Sequence, residues 1–316
     1  MRLRLASVSV DLDPLRCYSQ IHGLPPPEGP LADVILRKAL PRLLELFDRF
    51  AIKSTLFVVG QDIAQSPAGA ALLAEAATAG HELGNHSHTH PYDLSRMSRA
   101  QLERELGDCH AALRSLHPRP PRGFRAPGYH LSMDMLDVLE EKGYRYDSSL
   151  MPCPPYYAAK LAVLGVMALR GERSASIVGA PQAQLGPTQP YRPDPRRPWQ
   201  RGQAGLVELP IAVTKVLRLP AIGTYLILSS RLRQTLLSGM QRQTFFNLEL
   251  HGIDFLDQSD GLASLAPYQP ELRVPLESRL AALGAFVEGL RAQGRRAVSL
   301  DEAARAFAAE HRSTPR

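Results

Sequence analysis

Two short polar stations carry the chemistry most readily read from this chain. Asp11-Leu12-Asp13 ends the first hydrophobic run, and His86-Ser87-His88-Thr89-His90 follows the third. Residues two apart on a strand share a face, so both carboxylates are expected to look into one cavity. His86 and His90 stand four apart, the spacing by which one helical turn would bring both imidazoles to one side. Two imidazoles and one carboxylate leave positions open on a metal ion, which suits hydrolytic zinc better than a structural site. The second carboxylate is then free to act as a base. The pattern is that of a metal-dependent hydrolase.

Groups of this kind need a scaffold, and the first half of the chain alternates strand and helix signals. Strands are predicted at Leu5–Val10, Ser54–Val59, Glu82–Asn85, Gly123–Ala126 and Tyr144–Asp147. Between them lie helical patterns at Leu31–Phe50, broken by Pro41, and at Ala70–Ala79, Arg99–Leu116 and Met133–Lys142, with Ser98 as an N-cap. Such spacing argues for parallel βα units of the α/β class, and the polar stations fall at the C-terminal ends of strands, where (β/α) barrels place chemistry. A long insertion at about 151–205 interrupts the rhythm. Signals resume at 206–211 and Thr244–Leu250, then a helix over Arg279–Gln293, a short strand at 297–300 and a last helix from Asp301. The tail His311–Arg316 is expected to fray.

Further stations stand at predicted strand ends: Arg125-Ala126-Pro127-Gly128-Tyr129, Asp147-Ser148-Ser149, Glu249 and Leu250-His251-Gly252. With them the chain resembles the polysaccharide deacetylase (NodB-homology) family of carbohydrate esterases, over roughly residues 5–150 and 206–305. The resemblance rests on Asp-x-Asp, Asn-His-Ser-x-x-His, Arg-x-Pro-Gly-Tyr, Tyr-Asp-Ser-Ser and Leu-His taken together. It implies a distorted (β/α) barrel of about seven parallel strands, here one domain over 1–316 carrying the insertion. It further implies that Asp13, His86 and His90 bind a divalent metal ion, zinc being the default, and that Asp11 is the general base. Arg125 would hold Asp11, and His251 would protonate the departing amine. The backbone near Gly128 and Tyr129 would stabilise the oxyanion, with Asp147 in support. Many relatives have adjacent aspartates where this chain places Leu12 between them. The implied reaction is removal of an acetyl or formyl group from an N-acylated amino sugar; an amidase acting on a small non-sugar amide and a non-catalytic carbohydrate- or lipid-binding barrel are the competing readings.

Composition bounds the partners. The chain is 44% hydrophobic and 22% charged, with a net charge of +6. That surplus favours anionic surfaces or substrates, but no DNA- or RNA-recognition motif accompanies it, so nucleic acid is not an expected partner. Cys17, Cys109 and Cys153 are odd in number and lack metal-binding spacing, which argues against a disulfide framework. The first apolar run is too short for a signal peptide, and a cytoplasmic protein is expected. Tyr156–Leu169 has Lys160 as its only charge, with Arg170 and Arg173 following. It is too short to span a bilayer, which takes about twenty residues. It reads either as a buried helix over the barrel mouth or as an interfacial element. Residues 216–232 form a second apolar stretch with basic edges. Together, 156–173 and 216–232 suggest a protein peripheral on the inner face of the membrane, acting on a polyprenyl-linked sugar. His88 is expected to point away from the metal, His130 to be a structural loop residue with substrate contact as the lesser alternative, and Cys17 to be a packed thiol.

Overall fold

The computed structural model describes residues 4–312. The N-terminal three residues and 313–316, the end of the predicted frayed tail, lie outside it. Strand β1 (Leu5–Asp11) reads Leu-Ala-Ser-Val-Ser-Val-Asp, and the alternation has a structural consequence. Val8 and Val10 join the largest apolar cluster, whereas Ser7, Ser9 and Asp11 belong to a buried polar set. After the turn at Pro14, α1 (Leu15–His22) leads to a wide helical turn at Ile35–Ala39 and then α2 (Leu40–Arg49). The change expected at Pro41 falls one residue earlier, where the wide turn gives way to α2 at Leu40. Pro41 sits in the first turn of α2, where a missing N–H costs nothing.

The alternation continues through β2 (Thr55–Val58), α3 (Gly60–Gln65), α4 (Pro67–Thr78) and β3 (Glu82–Asn85). Next come α5 (Arg99–Leu116), β4 (Gly123–Phe124), α6 (Met133–Glu141) and β5 (Tyr146–Asp147). In α5 a capping box between Ser98 and Gln101 satisfies the first-turn donors. The insertion is folded rather than a linker. It holds α7 (Pro154–Leu169) and a hairpin of β6 (Pro193–Asp194) and β7 (Arg197–Arg201). Tyr191 bridges antiparallel to Glu208 and ties that hairpin to the barrel. β8 (Val207–Glu208), α8 (Gly223–Leu228), α9 (Ser230–Gly239), β9 (Phe245–His251), α10 (Leu276–Ala292), β10 (Arg296–Ala297) and α11 (Leu300–Arg312) complete the chain. Residues 216–232 are therefore not one apolar helix, since an exposed turn and the ends of two helices divide them.

The sheet runs β9-β1-β2-β3-β4-β5-β8, seven strands in parallel, with β10 beside the start of β1. Between β8 and β9 no strand ladder is needed for the sheet to curl shut. The Ala212 N–H donates to the Asn247 carbonyl, and the Glu249 N–H to that of Ala221. This is the distorted (β/α) barrel that the family resemblance implied, built from the parallel βα units that the alternation predicted. Register aligns the strand ends: Asp11 lies opposite Phe57 and His251, Asn85 opposite Phe124, and Asp147 opposite Phe124 and Glu208. Outward residues Val10, Leu248 and Leu250 pack with Leu43, Phe47, Phe286 and Val287 of the covering helices. Each such buried side chain contributes about 1.5–3 kcal/mol.

Candidate active site

One cavity of about 240 Å3 opens at these strand ends, and Asp11, Asp13, His86, Tyr129, Glu249 and His251 all line it. The pleat of two adjacent strands supplies its floor. Ser7, Ser9 and Asp11 of β1 lie beside Asn247, Glu249 and His251 of β9, pair by pair in register. Asp13 stands two residues past Asp11, beyond the strand end, and is also buried.

His86 and His90 meet without a helix. The segment after β3 is a loop in which Ser87 and His90 adopt left-handed φ of 63° and 64°. His90 precedes Pro91, and a residue before proline is pushed out of the α region. Asn85 and Glu105 hold the loop instead. Asn85 Oδ1 accepts from the Ser87 N–H at 2.8 Å, while Glu105 accepts from the N–H groups of His88 and Thr89 and from the Thr89 hydroxyl. His86 Nδ1 lies 2.7 Å from the Arg125 carbonyl, which can only accept, so this nitrogen carries the proton and turns Nε2 toward Asp13.

Asp13 Oδ1 is 3.1 Å from His86 Nε2 and 3.2 Å from His90 Nε2. Neither contact has hydrogen-bond geometry. Among the described residues, Asp13 Oδ1 and both ring nitrogens of His90 are left without a hydrogen-bond partner. Buried polar atoms are rarely abandoned in this way. Three converging orphaned or bare donors of N, N and O type fit a divalent cation. Burial would raise the Asp13 pKa, but His90 and His86 overcome it and hold the carboxyl well below its usual range. A second cluster, Asp11, Glu249 and His251, has ligand types too, yet Asp11 is already engaged by an arginine.

That arginine is Arg125, fully buried at the end of β4. Its Nη1 donates to Asp11 Oδ1 at 2.6 Å, its Nη2 to Ser9 and Ser148 hydroxyls, and its Nε to the Ser148 carbonyl. The guanidinium carbon stands 4.4 Å from the centre of the Phe57 ring. Although burial disfavours its charge, Asp11 and Glu249 restore it, so the group stays cationic and fixes one edge of Asp11.

On the opposite side, His251 Nδ1 lies 3.0 Å from Glu249 Oε1, and Nε2 lies 3.3 Å from the Tyr129 hydroxyl and 3.8 Å from Asp13 Oδ2. Burial would lower the His251 pKa, but Glu249, Asp13 and Asp11 push it well above the ordinary imidazole value. It is a charged proton donor facing the cavity.

Two expectations need correction. Asp147 does not line the cavity. It accepts from the Ser149 hydroxyl and N–H and lies beside Glu208, whose carboxyl burial and Asp147 push well above its usual range. Ser149 in turn accepts from the Ala126 N–H, so Asp147 props the loop after Arg125 from behind. The Tyr129 N–H is also unavailable to a substrate oxygen, since it donates to the Ala126 carbonyl. Gly128 and Tyr129 both lie on the cavity wall with left-handed φ of 70° and 65°. His130 faces away, its Nε2 on the Ile177 carbonyl of the insertion. The expected packed thiol at Cys17 is buried. His88 is half-buried and does not join the Asp13, His86 and His90 group.

Sequence reasoning passed over Glu105, which braces the histidine loop from α5, and Lys160, which α7 places in the cavity wall. Nothing local marks Glu105. Lys160 carried a signal, being the only charge in an apolar run.

Residues 28–146 match the family model described as polysaccharide deacetylase. A peptidoglycan deacetylase-like protein of Gibberella zeae is 33% identical over 116 residues, 36% of this chain and 33% of the relative. A peptidoglycan deacetylase of Helicobacter pylori is 31% identical over 120 residues, 37% of this chain and 40% of the relative. A chitooligosaccharide deacetylase of Bradyrhizobium is 34% identical over 104 residues, 33% of this chain and 46% of the relative. The chain thus matches less than half the length of these proteins. A solved structure of a candidate polysaccharide deacetylase from Mycobacterium smegmatis shares the fold, with TM-score 0.64 at 20% identity over 99% of this chain and 93% of that one. Residues 28–146 thus carry the similarity to the polysaccharide deacetylase family, and the chain as a whole shares the fold of the Mycobacterium smegmatis structure.

Proposed function

We propose that the protein is a metal-dependent hydrolase that removes an acetyl or formyl group from an N-acylated amino sugar. One observation carries the reading: Asp13, His86 and His90 converge around one cavity, Asp13 Oδ1 and the His90 ring nitrogens without a hydrogen-bond partner, between an arginine-held carboxylate and a charged histidine. Asp13, His86 and His90 would hold the metal ion, with zinc favoured by the two imidazoles and one carboxylate. When bound there, the ion supplies Lewis acidity that polarises the amide carbonyl and makes a water molecule more acidic.

The side chains account for the proton traffic. Arg125 engages one oxygen of Asp11, leaving the other to take the proton from the attacking water as its oxygen bonds to the carbonyl carbon. His251 gives its Nε2 proton to the sugar nitrogen as the C–N bond breaks, yielding a free amine and a carboxylic acid. The Tyr129 hydroxyl, beside His251 Nε2 and on the cavity wall, would donate to the developing oxyanion. A binding-only barrel would have no need of a complete set of acid, base and ligand types.

The test is release of acetate or formate from N-acylated amino-sugar oligomers by protein loaded with zinc or cobalt. Hydrolysis by wild type, abolished in Asp11→Asn and reduced at least about 100-fold in His251→Ala, supports the reading. Hydrolysis that survives Asp11→Asn unchanged would overturn the assignment of Asp11 as the base.

A further inference from the structure

The outer face of α7 is the reverse of an ordinary surface helix. Such helices put apolar residues inward and charge outward. In α7 a narrow stripe of Tyr156, Lys160, Leu164 and Met167 is at least half-buried, and Tyr156 and Lys160 line the catalytic cavity. Every exposed residue from Ala158 to Leu169 is apolar or glycine. Leu161, Val163, Val166 and Leu169 are 45–90% exposed. The only charge in the helix is thus turned inward, and its solvent side is bare hydrocarbon.

More apolar tips stand at the same end of the molecule. Arg218 donates to the carbonyls of Pro152, Gln184 and Gly186, which ties the turn carrying Val216 and Leu217 to the start of α7 and to Leu185. Val216 is 86% exposed and Leu185 75%. An exposed apolar helix face with further exposed apolar side chains tied to its start marks an interaction surface. Its rim is cationic: Arg170, Arg173 and Lys215 are exposed, against one acidic residue, Glu172.

We infer that α7 and the Lys215–Arg218 turn seat the protein on an anionic lipid bilayer, with the mouth of the catalytic cavity against the headgroups. Charge selects this occupant over a second copy, because two copies meeting face to face would oppose like cations within a chain already at +6, whereas acidic lipids neutralise them. The dimensions agree. Sixteen residues span about 24 Å, and no described helix is long and apolar enough to cross a membrane, so α7 lies in the interface plane. The sugar deacylated would then be lipid-linked. That consequence rests on the hydrolase reading; the docking itself does not.

The experiment is co-sedimentation of the full chain with vesicles of phosphatidylcholine, with and without phosphatidylglycerol, alongside sedimentation velocity without lipid. The expected result is binding to the anionic vesicles that weakens with salt and falls at least about tenfold in Val163→Glu/Val166→Glu. The double variant should keep the wild-type melting temperature and wild-type hydrolysis of a water-soluble N-acyl sugar, separating failure of docking from failure of the hydrolase. Wild type left in the supernatant with both vesicles would overturn the inference. So would vesicle binding indifferent to the double variant, or a lipid-free dimer that the same variant dissociates.

Discussion

His251 and Glu249 are adjacent inward residues of β9, and the carboxylate 3.0 Å from Nδ1 is what keeps the imidazole charged in a buried setting. Removing that charge in Glu249→Gln lowers the His251 pKa toward its ordinary value. An acid must be protonated to act, so the alkaline limb of the pH–rate profile moves to lower pH, and the rate at neutral pH falls by about tenfold or more. A variant with an unchanged pH profile would show that Glu249 does not act through His251. Lys160 offers a second titration. Burial lowers its amine to about 8, so it is a cation at neutral pH and loses that charge as pH rises past this value. For a substrate bearing a carboxylate or phosphate, KM therefore rises between about pH 7 and 9 in wild type, and Lys160→Met removes that dependence. A neutral N-acyl sugar should show no such trend in either protein.

The loop from Asn85 to His90 is the element on which the metal site depends, and it shows where sequence and structure part. The α5 boundaries are legible to the residue, because Ser98, Gln101 and a run of well-spaced leucines all agree. The histidine spacing suggests a helix that does not form, since Pro91 excludes the α region at His90 and two left-handed residues make the turn instead. Pro91 was the available signal. The support from Glu105, fifteen residues beyond His90, has none, because pairing across the fold leaves no local trace. Glu105→Ala leaves three backbone and hydroxyl donors of this loop without their partner. It should lower metal affinity about 10- to 100-fold with α5 still folded by circular dichroism. Unchanged affinity would mean that Asn85 alone suffices.

At the scale of the whole molecule, alternating strands and helices specify the barrel, and the in-register serines, asparagine and carboxylates of β1 and β9 specify its polar interior. The sequence of β9, Phe-Phe-Asn-Leu-Glu-Leu-His, shows this as plainly as β1 does. The insertion was harder to read, because apolar periodicity cannot tell a helix buried in protein from one facing lipid. Acid should loosen both parts. Burial lowers His81 and His130 to about 4, the first accepting from the Ser54 backbone and the second clasping the insertion at Ile177. The unfolded chain takes up these protons near 6.5, before the folded one does. Stability is therefore lost as pH falls from about 6.5 to 4 and levels off below. Melting temperatures across that range should show the loss, and it should shrink in His130→Gln. The hydrolase chemistry depends above all, however, on a cation between Asp13, His86 and His90. Bound metal per chain, measured by elemental analysis after loading with zinc and desalting, tests it most directly. The prediction is close to one equivalent in wild type and none in His86→Ala or His90→Ala, whereas a wild type that retains no metal, or mutants that retain it fully, would contradict the proposed site.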